Sequence, residues 1–458
     1  MSGTKPAGTS GSPFLRVAAR LGVDRAVGYL LARHLWRFLS GAGTVLIIAR
    51  SFTPEIQGYY YTFSSLLGWQ ALAELGLYIV VMNLASHEWS GLRIGPGGTL
   101  AGEDLPRARL ASLARFVFIW YAFAALLFIL AAGAAGWVFF SSTGGTEIPW
   151  GGPWVTTVLL TGLLFWASPF MSLLEGCGQV ESVSRVRLAE SLLTTLVLWT
   201  AMLCGAGLWA VLCAAATSLV CTLWLLLVPY RPFFASLHTA PPGAAFHWRT
   251  EIWPLQWRLA IQGAVGVLLF SLYTPVLFRY HGAAAAGQMG ITWQATSVIG
   301  MAAISWVHTR ASALGVLAAR RDFPGLHRLW RGVTLASTGA VLLGAAALLL
   351  LLGGLRVAGF ALADRFLATP AVVLLLAGTL AMHLVQAMAY YLRAHKREPL
   401  LASGVVTSLV CGALVWVLGR RYGATGACAA YAISTVAVAL PMTSIIWWRA
   451  RAAWHQGP

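Results

Sequence analysis

The sequence predicts an all-α polytopic membrane protein, with about 12 transmembrane helices in two parallel six-helix lobes related by a pseudo-two-fold axis along the membrane normal. Three observations carry that expectation. Hydrophobic residues make up 59% of the 458 and charged residues only 10%, against about 25% charged in soluble domains; mean hydropathy is +0.74. Apolar runs of roughly 20 residues, enough to cross about 30 Å of hydrocarbon as a helix, recur along the whole chain. Lipid offers no partner for open backbone groups, so each such run is expected to be helical. Finally, the chain repeats itself. Trp36-Arg37 precedes Thr53-Pro54 by the same spacing at which Trp257-Arg258 precedes Thr274-Pro275. Gly58, Trp69-Gln70-Ala71, Asp104-x-Pro106 and Gly205-Ala206 recur in order as Gly282, Trp293-Gln294-Ala295, Asp322-x-Pro324 and Gly423-Ala424.

The expected spans are 31–51, 59–84, 116–140, 153–174, 184–203 and 207–229, then 256–278, 285–307, 333–353, 370–391, 399–418 and 424–448. An even number per half gives both copies one orientation, so they are parallel rather than inverted repeats. The domain reading is 1–30 for a tail and interfacial helix, 31–230 for the N-lobe, 231–253 for a linker, and 254–458 for the C-lobe. The net charge of +17 does not call for nucleic acid. On one side of the bilayer lie only Arg50, Arg279, Arg356, Arg365, Arg420 and Arg421; the rest of the 31 Lys and Arg fall on the other. That asymmetry places both termini in the cytoplasm. The six cysteines form no C-x-x-C pair and read as small packing residues. No histidine spacing suggests a metal, and no cofactor or catalytic motif stands out.

Polar residues inside spans are the candidates for function. Arg37 lies sixteen residues from Thr53, about 24 Å along a helix, and Arg258 has the same depth in the second half. The two would face each other across the pseudo-axis, or snorkel to head groups. Arg33 and His34 open the same span. Gln70 and Gln294 form a second matched pair, for a cavity or for interhelical hydrogen bonds. Trp69 and Trp293 precede them, as flat faces for a ligand or as helix anchors. Glu74 and Glu190 are the only carboxylates deep within the spans. Arg187 sits one turn from Glu190 and would pair with it; Glu74 has no such neighbour and is the candidate for ion or proton coupling. Gly95-Pro96-Gly97-Gly98 is a turn rather than a phosphate loop, and Asp104 and Asp322 read as helix starts.

The stretch Ala49-Arg50-Ser51-Phe52-Thr53-Pro54-Glu55-Ile56-Gln57-Gly58-Tyr59-Tyr60, with Ala73-Glu74-Leu75-Gly76-Leu77 and the two Gly-Ala stretches, resembles the polysaccharide-flippase branch of the multidrug/oligosaccharidyl-lipid/polysaccharide exporter superfamily. The likeness covers nearly the whole chain and separates the superfamily better than its branches. It implies two lobes around a central cavity lined by the first two spans of each half, opening alternately to either side. It also implies a cationic site for a pyrophosphate or acidic glycan, a role that Arg37 and Arg258 match by position. Relatives that move the peptidoglycan precursor have two further C-terminal helices, which this sequence does not show. The leading expectation is therefore a flippase for a polyprenyl-pyrophosphate-linked oligosaccharide in the bacterial inner membrane. Its partners would be lipids, glycosyltransferases and a polysaccharide polymerase. A cation-coupled multidrug exporter, a polytopic glycosyltransferase and a scaffold for glycan synthesis are the competing readings.

Overall fold

A computed structural model describes residues 25–74, 76–143, 148–239, 253–395, 397 and 399–455. The expected interfacial helix at 14–31 and the linker at 231–253 fall largely outside these residues. Helices dominate. In chain order they are α1 (Arg25–Ser51), α2 (Pro54–Leu67), α3 (Gln70–Glu74), α4 (Leu77–Trp89), α5 (Asp104–Thr143), α6 (Gly151–Gly176), α7 (Val180–Leu203), α8 (Trp209–Leu227) and α9 (Arg231–His238). The second half comprises α10 (Trp253–Phe270), α11 (Tyr273–Thr309), α12 (Ala311–Ala319), α13 (Phe323–Val357), α14 (Thr369–Ala394), α15 (Leu401–Ala432) and α16 (Leu440–His455).

Twelve crossings in two lobes result. Seven described helices are long and apolar enough to cross a membrane, and one of them, Leu401–Trp454, is 54 residues long. That helix doubles back at Gly423 (φ 61, ψ −142), so it makes two crossings. The bent pair Pro54–Glu74 and Leu77–Trp89 adds another. The remaining three are α1, whose first turns are basic, and α10–α11, which reverses at Gly282 (φ 86, ψ 173). We call the end that carries Arg25 and His455 proximal, and the opposite end distal.

The repeat landmarks fall on equivalent structure in two cases. Gly205 and Gly423 both take positive φ at distal turns. Asp104 and Asp322 both begin proximal helices, Asp322 by accepting a hydrogen bond from the Gly325 amide at 2.9 Å. The structure departs from the sequence reading at the second span, expected as one run over 59–84. There the helix ends at Leu67, resumes briefly as α3, and restarts after Gly76, which is left-handed at φ 67. The seventh span is likewise interrupted, between Phe270 and Tyr273. Two three-residue strands, β1 (Leu92–Ile94) and β2 (Leu100–Gly102), also appear where only a loop was expected. They form a hairpin around the glycine-rich turn, and Leu100 N donates to Ser236 Oγ of α9. All six cysteines are free.

The lobes meet most closely at the distal end, where α2 crosses α11. A Cβ on Gly58 would lie 1.9 Å from the carbonyl oxygen of Ala283, and one on Gly290 would lie 2.1 Å from the Tyr61 ring. Small residues let the backbones approach this closely. Beside the crossing, Tyr59, Phe63, Phe140, Trp154 and Phe278 form one buried aromatic cluster. A Gly58→Leu variant cannot keep this crossing. Spin labels at Glu55→Cys and His281→Cys are expected to move apart by several ångströms relative to the same pair on a wild-type Gly58 background; an unchanged distance would show that the crossing does not hold the distal end shut.

Candidate functional site

The proximal half of α1 carries the basic cluster. Trp36 fixes its rotation by donating from Nε1 to Ser191 O at 3.2 Å and Thr195 Oγ1 at 3.3 Å on α7, and Trp199 Nε1 donates to Thr44 Oγ1 at 2.9 Å. With Trp36 turned to α7, Arg33 is half-buried on that side while His34 and Arg37 are exposed. Arg33 lies in electrostatic range of Arg187, Arg37, Glu190 and Tyr78. Its Nε is buried without a hydrogen-bond partner. His34 lies in electrostatic range of Arg37, Arg33 and, on α11 of the other lobe, His308.

Arg187 does not make the expected local pair with Glu190. Its Nη2 donates to the Tyr78 hydroxyl at 2.8 Å and lies 3.5 Å from the Glu175 carboxylate, and Tyr78 donates to Glu175 Oε2 at 2.7 Å. Three helices, α4, α6 and α7, are tied by this triad. The reason is reach: a long guanidinium on α7 finds a carboxylate on the neighbouring helix already oriented by a tyrosine, while Glu190, half-buried, turns toward Ser218 on α8. Among the described residues no carboxylate pairs with Arg33 or Arg37, so positive charge is left over at the proximal end of α1.

The matched pairs separate. Gln294 is held in the distal seam, where Oε1 accepts from Tyr61 at 2.7 Å and Nε2 donates to Gly41 O at 3.2 Å. Trp293 stacks on Tyr273 at 4.7 Å and meets Tyr431 edge-on at 5.0 Å. Trp69, by contrast, sits exposed in the break between α2 and α3, and Gln70 is half-buried at the start of α3. Identical words in the two halves thus occupy different backbones, because the copy at 293 lies in unbroken helix. Arg258 is on α10, but its side chain lies outside the described residues. Glu74 closes α3 near Tyr121 of α5, and neither makes a hydrogen bond among the described residues. Tyr61, Tyr78, Glu175 and His308 were missed in the sequence; each is an ordinary polar residue whose partner is distant in the chain.

No protein-family profile and no curated protein sequence matches the chain. Solved structures do. An inward-facing multidrug resistance MATE family transporter of the MOP superfamily matches with a TM-score of 0.65 at 12% identity, over 93% of this chain and 95% of that one. The lipid II flippase MurJ in an inward closed conformation matches at 0.60 and 11% identity, over 92% and 87%. An outward-facing MATE family transporter matches at 0.55 and 11% identity, over 98% and 100%. The class that the fold defines is a multi-pass, all-α membrane protein. More particularly, the chain has the two-lobe, 12-helix fold seen in these MOP superfamily structures.

Arg187 and Glu175 are 22% and 12% exposed, so the pair is largely out of solvent. Arg187→Met strands the carboxylate and is expected to cost on the order of 3 kcal/mol in unfolding free energy. Adding Glu175→Gln should recover more than half of that loss in the same denaturation assay; absence of rescue would show that the ion pair is not what Arg187 contributes.

Proposed function

We propose that this protein is a flippase that moves a polyprenyl-pyrophosphate-linked oligosaccharide across a bacterial inner membrane, with both termini cytoplasmic and the proximal end facing the cytoplasm. The observation that carries the reading is the unpaired charge of Arg33 and Arg37 at the proximal end of α1, with the Nε of Arg33 buried and unpartnered. The physical task is to take a polar head group through hydrocarbon. Guanidinium groups pair with pyrophosphate through short, charge-assisted and bidentate bonds, which a lysine does not reproduce. Arg258, at matching depth on the first span of the other lobe, is the expected opposing contact. Trp69 and Gln70, accessible in the helix break, are further contacts for the glycan. Rocking of the lobes then opens the distal seam and closes the proximal one. Glu74, half-buried and unpartnered, is the coupling group for a proton or cation. The reading contains no catalytic step, and it expects glycosyltransferases and a polysaccharide polymerase as neighbours in the same process.

One observation favours a second reading. The inward-facing fold neighbour with a TM-score of 0.65 is a multidrug transporter, and a buried carboxylate such as Glu74 suits a cationic drug. Export assays separate the two. In a deletion strain, the Arg33→Gln/Arg37→Gln variant is expected to lower glycan export at least tenfold while inserting in the membrane at wild-type level, and Lys at both positions should restore it only partly. A strain whose glycan export is unchanged, but whose susceptibility to lipophilic cations rises on deletion, would replace the flippase reading with the exporter.

A further inference from the structure

We infer that the cavity between α10, α11, α14 and α15 is a second subsite that takes one uncharged saccharide ring of the transported lipid. The inference rests on the flippase reading and adds to it the half of the substrate that the arginines do not hold. The cavity measures about 290 Å³, at the lower end of small-molecule pockets, which start near 300 Å³. It therefore suits a single ring rather than a whole oligosaccharide.

Its walls are aromatic and rigid. Trp293 is clamped between Tyr273 and Tyr431, and Phe270 packs against its edge at 6.1 Å. Tyr431 can lie this close to α14 because residue 378 is glycine; a Cβ there would sit 2.4 Å from its ring. The polar groups are neutral hydrogen-bonding groups. Thr379 donates its hydroxyl proton to Leu375 O at 2.9 Å, and its oxygen also lies by the Tyr431 hydroxyl, so a ligand hydroxyl would share that pair. Gln386 is exposed to the cavity and makes no hydrogen bond among the described residues. His383 is only 3% exposed, bonds Ser337 Oγ through Nε2 at 3.0 Å, and has an Nδ1 with no partner.

Flat apolar faces combined with unspent hydrogen-bonding groups match a sugar, which presents C–H on its faces and hydroxyls around its rim. Among the described residues no carboxylate, lysine or arginine lines the cavity, so neither a pyrophosphate nor an organic cation finds a counter-charge among them. The position also fits. Ile304 and Gln386 line the cavity, and one turn nearer the proximal end on the same helix faces stand His308 and Tyr390. Those two rings are 5.9 Å apart, and His308 is in electrostatic range of His34 of the basic cluster. The cavity thus lies about one turn distal to the residues nearest the proposed pyrophosphate site.

The test uses the full chain in phosphatidylcholine nanodiscs with four probes: polyprenyl pyrophosphate, the same lipid bearing one neutral hexose, octyl glucoside, and a rhodamine cation. The hexose is expected to tighten binding about fivefold, the worth of one net hydrogen bond near 1 kcal/mol. Gln386→Leu and Thr379→Val should erase that gain, weaken octyl glucoside, and leave the bare lipid unaffected. Equal affinity for the bare and hexose-bearing lipids in the wild type, or rhodamine binding that falls in Gln386→Leu, overturns the inference. If the bare lipid fails to bind while octyl glucoside still responds to Gln386→Leu, the subsite stands and the flippase reading falls.

Discussion

The close approach of α2 to α11 is the constraint on which the rest of the structure depends. Gly58 meets Ala283, Gly287 meets the Pro54 carbonyl and the Gly58 amide, and Gly290 meets Tyr61, each at distances that leave no room for a Cβ. In hydrocarbon there is no hydrophobic drive between helices, so such contacts work through packing and a few hydrogen bonds. Here these are Tyr61 to Gln294 and, in the adjoining distal turn, Gln57 to Arg365 O and Gln288 to Asp364 O. Interhelical bonds of this kind average about 0.6 kcal/mol. A seam made of them is held by close packing and a few weak bonds, which suits the rocking proposed above. An ion pair across the same place would be far harder to reverse.

Movement needs hinges as well as a seam. The breaks at Gly68–Trp69 and Ser271–Leu272 lie against each other: a Cβ on Gly68 would sit 3.6 Å from Ser271 Oγ, and Ser65 and Thr274 share a 2.6 Å hydrogen bond. Non-helical backbone at membrane depth persists only where protein or water covers it. Both breaks meet that condition by covering one another. Their backbone amides are also satisfied locally, Trp69 N by Leu66 O and Ser271 N by Val267 O. The second span of one lobe and the first of the other can thus bend without stranding a buried amide.

Hydropathy made the spans legible because the bilayer imposes one length and one backbone on every crossing. Spans such as 153–174 and 184–203 lie inside α6 and α7 nearly to their ends. The interruption of the second span was not legible. Gly68 and Gly76 stand in an apolar run that reads as helix throughout, and the break at Gly68 lies against Ser271 of the other lobe, a neighbour no local window contains. The repeat misled in the same way. Trp69-Gln70 and Trp293-Gln294 share words, but the later pair is locked by Tyr61, Gly41 and Tyr273, which belong to both lobes. For Arg187 the sequence offered Glu190 one turn away, and tertiary contact supplied Glu175 instead.

The electrostatics of the proximal N-lobe follow from these same residues. Arg187 has Glu175 as its close partner, and Glu190 acts on Arg33 and Arg187 at longer range. With Glu175 committed to Arg187 and Tyr78, two carboxylates face three guanidiniums in this part of the N-lobe. At an effective dielectric of about 20, a unit charge 4 Å from one guanidinium gains or loses roughly 4 kcal/mol, or about a thousandfold in affinity. A lipophilic cation entering past Arg33 and Arg37 meets that term as repulsion, whereas a pyrophosphate meets it as attraction with more than one charge. Solved structures of a multidrug transporter and of a lipid II flippase share this fold, and the sign of this local imbalance is what supports the flippase reading proposed above.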